Sequence, residues 1–235
     1  MPHGGKDKRK PSDESVLAAE AKSLGALVDT LPLQKKGFLS FRFRDTGHLV
    51  HRFEQGFVDQ PRPGGGAPPF ALRYDQISWV RQSYLKHYLN HYYNKTSFAF
   101  RIGSSADEVV QWEGSFFDRK VYSGPSFSKG DPRLPQFVEK LAAGVSEARL
   151  PAHVKALDEG RSLTFGDIVI SREGVRAQDG VVPWSQVEPL AFERGVVVVN
   201  RRPQRKPVAR TSLGSIPNLP MFLTLFENLR RGRSS

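Results

Sequence analysis

From residue 160 onward the chain is cut at short intervals by turn signals: Gly166-Asp167, Arg172-Glu173-Gly174, Asp179-Gly180 and then Gly195. Between them stand short runs rich in apolar and β-branched residues, at 162–165, 168–171, 175–178 and 195–200, with 207–212 beyond a basic loop. Spacing this close leaves no room for helices and predicts short antiparallel strands. The stretch 181–194, VVPWSQVEPLAFER, reads as a strand anchored by Trp184, with Val187, Leu190 and Phe192 as its apolar residues. A helix closes the segment. Asn218 is its expected N-cap, Pro220 lies near the first turn, and Leu219, Phe222, Leu223, Phe226 and Leu229 fall on one side.

A fainter version of this order comes earlier. Tyr74-Asp75-Gln76-Ile77 echoes Trp184-Ser185-Gln186-Val187. Leu39, Phe41 and Phe43 alternate with polar residues as a half-buried strand does. Asp45-Thr46-Gly47, Glu54-Gln55-Gly56 and Asn94-Lys95 read as turns, 48–53 and 70–81 as strands, and 60–69 as a loop. Residues 96–102 and 108–112 read as a hairpin. Asp131 and Pro132 start a helix bearing Leu134, Phe137, Val138, Leu141 and Val145, which Pro151 ends, with 152–157 a separate turn. At the N-terminus a basic tail, 1–12, precedes a helix and linker, 13–32. Ser12 or Asp13 caps that helix, Gly25 or Val28 ends it, and Pro32 marks the exit.

Each half therefore reads as several short strands followed by one amphipathic helix, which points to duplication. The expected fold class is β-rich α+β. It has two modules, 33–150 and 151–235, each a bent antiparallel sheet or partial barrel closed by its C-terminal helix. Trp184 and Trp79 are expected in the core.

The order Gly160-Arg161, Thr164-Phe165-Gly166, Glu173-Gly174-Val175, Pro183-Trp184-Ser185-Gln186-Val187, Ile216-Pro217-Asn218 and helix resembles a pleckstrin-homology-like (PH-like) fold. More narrowly, it resembles the bacterial tandem PH-like proteins of an uncharacterised family. Residues 156–230 carry the likeness well. Residues 33–148 carry it weakly, through Phe53-Glu54-Gln55-Gly56-Phe57-Val58 and Tyr74-Asp75-Gln76-Ile77, without the Pro-Trp pair. The resemblance implies a fold and fixes no ligand.

The net charge of +11 favours anionic partners. The sharpest cluster is NRRPQRKPVAR, 200–210, where Arg201, Arg202, Arg205, Lys206 and Arg210 stand with no acid among them. Arginine forks suit phosphate and carboxylate; the competing reading is a solvated loop. A second basic region, Lys35, Lys36, Arg42 and Arg44, lies on the first hairpin, where the PH-like resemblance implies headgroup contacts. The polar face of an exposed strand is the alternative. His87 and His91 stand four apart, a metal-binding spacing only on a helix. The tyrosines of 84–93, with Lys86 and Lys95, either stack bases or pack a flap or an interface.

The chain has no cysteine, no P-loop, no catalytic triad motif and no paired-carboxylate motif. No apolar run reaches a membrane span, and the basic N-terminus lacks a signal-peptide core. The expectation is a cytoplasmic, non-enzymatic binding or scaffold protein without cofactor or metal, whose partner is another protein. Peripheral binding to anionic lipid through 201–210 or 35–44 is the alternative. Nucleic-acid binding is a further one.

Overall fold

The computed structural model describes residues 10–36, 43–64, 66–104, 109–116, 133–203 and 206–232. The alternating residues Leu39 and Phe41, the Asp131 cap, Arg42 and Arg205 lie outside them. The fold is β-rich α+β: four antiparallel sheets and three helices, with no sheet closed into a barrel among the described residues. The chain divides into two compact units, Met1–Ser78 with Tyr84–Gly144, and Trp79–Ser83 with Val145–Ser235.

In the first unit, helix α1 (Asp13–Ala21) starts where the Ser12 hydroxyl accepts from the Ser15 amide. It ends sooner than expected. Residues read as its tail and linker belong to strand β1 (Leu27–Lys36). Pro32 sits within that strand, tolerated because β1 is the outer strand of the order β1-β2-β3-β4. The partners are β2 (Phe43–Phe53), β3 (Gly56–Gln60) and β4 (Phe70–Arg73).

Asp45-Thr46-Gly47 is a bulge and not a turn. The register jumps from Pro32↔Leu49 to Gln34↔Asp45. Gly47 takes φ +77°, and Thr46 Oγ1 donates to Leu33 O at 2.7 Å. After β4 comes a 3-10 turn, Tyr74–Gln76, in place of continuous strand. A second sheet follows, of β5 (Ile77–Leu89), β6 (Tyr92–Ser104) and β7 (Val109–Phe116). Its first turn is at Asn90-His91, both at positive φ (48° and 68°), while Asn94-Lys95 lies inside β6. Phe100 stacks on Trp112 at 5.3 Å, and Phe57 meets the same indole edge-on at 5.2 Å.

α1 is held to the sheet by a buried polar chain. Gln60 Oε1 accepts from the Ser12 amide, the Ser15 hydroxyl and His51 Nε2 at 3.0, 2.6 and 3.1 Å. Because that oxygen only accepts, Nε2 carries the imidazole proton, and His51 Nδ1 accepts from Thr30 Oγ1 at 2.9 Å. Burial holds His51 below the usual 6.5, against the Gln60 hydrogen bond and the Asp59 charge, which act to raise it. As pH falls through 6.5, the unfolded chain takes up this proton before the folded one does. Stability is therefore expected to fall with pH from about 6.5 down to the depressed folded value. Comparing urea midpoints of the protein and of His51→Asn at each pH isolates this slope. Parallel pH curves for the two proteins would refute it.

Helix α2 (Leu134–Asp158) runs through Pro151 without stopping. Its residues 134–144 lie in the first unit and 145–158 in the second. Proline removes one helical hydrogen bond, but burial of Ala156 and Leu157 keeps the following turns helical.

The second unit begins with a four-stranded sheet: β8 (Leu163–Phe165), β9 (Ile168–Ile170), β10 (Gly174–Ala177) and β11 (Gly180–Pro183). A 3-10 turn, Trp184–Gln186, stands where a strand was expected. A three-stranded sheet then follows, of β12 (Ala191–Glu193), β13 (Val196–Arg201) and β14 (Lys206–Ser212). Helix α3 (Leu219–Arg231) buries Met221, Phe222, Leu225, Phe226 and Leu229 over this core. Each such side chain contributes roughly 1.5–3 kcal/mol. Phe192, expected among the apolar residues of its strand, is exposed. Trp79 is half-buried, with the Arg81 guanidinium 5.2 Å from its ring centre, and is not a core residue.

Asn218 does not cap α3 through its side chain. It adopts φ 50°, donates its amide to Val80 O at 2.8 Å and accepts from Val80 N through Oδ1 at 3.0 Å. Among the described residues no helix is long and apolar enough to cross a membrane.

The 3-10 turns at Tyr74 and Trp184 are built alike. Tyr74 N donates to Gln55 O and Trp184 N to Glu173 O. The Tyr74 hydroxyl donates to Phe53 O at 3.3 Å, and Trp184 Nε1 to Ser171 O at 3.0 Å. Gly56 and Gly174 each pass so close to the facing strand that a Cβ would overlap a carbonyl oxygen, of Leu72 and Val182 respectively. The ring of Tyr74 lies against Gly144 of α2, and Trp184 lies edge-on to Phe226 of α3.

Candidate anion-binding groove

The 3-10 turn Trp184–Gln186 positions the basic hairpin. Trp184 is 1% exposed, which fixes the turn in the core. Two residues on, Gln186 accepts from Arg202 N through its backbone oxygen at 2.7 Å, and from Arg201 Nε through Oε1 at 2.9 Å. Glu188 N donates to Asn200 O at 3.0 Å, continuing the seam. Arg201 ends β13 opposite Lys206, and Arg210 faces Val198.

Arg201 lines two open grooves. One, of about 340 Å³, runs between Ala177–Val182 on one side and Pro207–Arg210 on the other; Ala177, Val182 and Val208 give it apolar walls, and Gln178 and Asp179 also line it. The other, of about 470 Å³, is formed with Ser185, Gln186, Arg202 and Pro203.

The hairpin loop itself holds no acid, but the fold brings acids to it. Glu188 Oε1 lies 3.9 Å from Arg202 Nε, and Glu193 Oε2 lies 3.9 Å from Arg210 Nη2. Exposed pairs at that distance contribute little, yet they divide the local field. Arg201 differs. Its guanidinium is braced by a neutral amide, with the one acid of its groove, Asp179, on the opposite wall. A half-buried arginine held this way presents its remaining N–H groups, already oriented, to an incoming anion.

Lys35 and Lys36 end β1 and Arg44 is the second residue of β2, with Lys35 opposite Arg44. This second basic region belongs to the first unit. His87 lies on β5 and His91 in the turn after it, so they share no helical face. His87 Nε2 lies 2.9 Å from Ser97 Oγ. At the base of the same hairpin, burial and the nearby Glu139 push the Tyr84 phenol up to about 12.

Sequence reasoning missed Gln186, Glu188, Glu193 and Val182. Only Gln186 left a trace, as the glutamine repeated two residues after each anchoring aromatic, Gln76 after Tyr74 and Gln186 after Trp184. Comparison with curated proteins finds no match. Residues 132–234, which take in α2 and the second unit's strands and closing helix, match a family of unknown function (DUF6585).

Proposed function

We propose that this chain is a non-enzymatic binding protein made of two PH-like modules, and that the second module takes an acidic segment of a partner protein at the Arg201 groove. The two-module reading draws on the parallel construction of the units. Each has a four-stranded meander, a 3-10 turn and a three-stranded meander, and a helix lies against the turn's aromatic. The single observation that carries the binding reading is Arg201, braced by the neutral Gln186 amide on a groove whose lining sets the apolar Ala177, Val182 and Val208 beside Arg210 and one acid, Asp179. A cation flanked by apolar surface suits an Asp or Glu side chain next to an apolar one in an extended peptide.

Selection of random peptides on the full chain is expected to enrich acidic sequences containing an apolar residue. Arg201→Glu should weaken their binding by roughly 30–100-fold, the equivalent of about 2–3 kcal/mol for a lost charge-assisted contact. Gln186→Ala should give a smaller loss. Enrichment of neutral peptides, or binding indifferent to Arg201→Glu, would remove this reading.

A further inference from the structure

The β5–β6 hairpin in the first unit ends in a cluster of exposed rings and cations that the Arg201 groove does not explain. Leu85, Tyr88 and Tyr92 are 63%, 56% and 74% exposed. The tip is well braced. The two-residue turn Asn90-His91 has the paired positive φ values that suit a twisted hairpin. Tyr88 packs on the buried Tyr93 at 5.9 Å, and the Tyr93 hydroxyl bonds Thr96 Oγ1 at 2.7 Å. Large apolar side chains held out in water on a stiff ribbon mark a docking surface.

Along its own sequence the hairpin's charge is one-sided. Lys86 and Lys95 flank it with His87 and His91, and no Asp or Glu occurs in the sequence between Asp75 and Asp107. Such a surface complements an anionic one. We propose that the tip of this hairpin docks on an anionic lipid bilayer, with Leu85, Tyr88 and Tyr92 entering the interfacial layer and Lys86 and Lys95 meeting headgroups.

Two observations favour a bilayer over single-stranded nucleic acid. Successive strand residues point to opposite faces, so Tyr88 and Leu85 expose apolar surface on both sides of the ribbon. A base-stacking platform uses one face, whereas a tip sunk in a membrane interface is surrounded. Leu85 also offers no stacking face, but it fits the acyl boundary, where tyrosine rings are favoured as well.

The test is co-sedimentation of the full chain with phosphatidylcholine vesicles, pure or with about a third phosphatidylserine. Binding is expected only to the anionic vesicles. It should fall at least about tenfold in a Leu85→Ser, Tyr88→Ser, Tyr92→Ser triple variant and in Lys86→Glu, Lys95→Glu. All five side chains lie on the exposed hairpin, so unfolding midpoints check that the variants fold. Tyr88→Trp gives a direct readout: the emission of the new indole should shift to the blue on anionic vesicles. Arg201→Glu should leave sedimentation unchanged, which separates this site from the groove. Equal binding to neutral vesicles, undiminished binding by the triple variant, or an unshifted Tyr88→Trp emission would overturn the proposal. So would Tyr88-dependent binding of a labelled oligo(dT) with vesicles ignored, which would assign the tip to nucleic acid.

Discussion

Trp184→Ala is expected to lower the stability of the second unit by about 3–5 kcal/mol, as truncation of a fully buried aromatic does. The indole is 1% exposed, stands edge-on to Phe226 at 5.2 Å, and donates Nε1–H to Ser171 O. The variant removes the ring, leaves a cavity and strands that carbonyl. Trp184→Phe keeps much of the packing and loses the hydrogen bond, so it should cost less, about 1–2 kcal/mol. Thermal unfolding of both variants decides the matter. The loss should also reach Arg201, since the turn that Trp184 seats carries Gln186. If unfolding hardly shifts while peptide binding collapses, Trp184 contacts the ligand and is not a core anchor.

Gly174→Ala and Gly56→Ala should each cost about 3 kcal/mol, the upper range for overpacking. At both positions the new Cβ would overlap a backbone carbonyl of the facing strand, so the strand pair itself must part. At Gly56 the Leu24 side chain, 2.8 Å from the Cβ site, is displaced as well. Gly195→Ala is the control. Its φ of +82° carries a left-handed penalty of about 1–2 kcal/mol, with no atom within 4 Å of the Cβ site. Denaturant unfolding that ranks Gly195→Ala as the costliest of the three would mean that backbone conformation, and not the close approach of strands, sets the glycine requirement here.

How much was legible in the sequence depended on what each residue controls locally. The strands after residue 160 read well because glycines mark their ends, and the Ser12 cap because its hydroxyl serves its own helix. The 3-10 turns at Tyr74 and Trp184 did not, because a single turn leaves no period and its aromatic looks like strand material. Asp45-Thr46-Gly47 carries turn chemistry, but its partner strand continues past it and makes it a bulge. Asn94-Lys95 lost the turn to Asn90-His91, since register and not composition places a hairpin's reversal. In the groove, the arginines were visible as a run. Glu193 reaches them through strand pairing, and Gln186 and Glu188 through backbone hydrogen bonds of the segment after Trp184, none of which a local pattern states.

The pairing of Val80 with Asn218 has a bearing on biosynthesis. The two residues are 138 apart in the chain, and residues 79–83 group with the unit otherwise formed by Val145–Ser235. On the ribosome, the start of β5 is made long before the residue that takes up the Val80 amide and carbonyl. A fragment beginning at residue 145 lacks that segment altogether and leaves Asn218 without it. Expression boundaries drawn at the end of α2's first half would thus remove part of the domain they were meant to isolate.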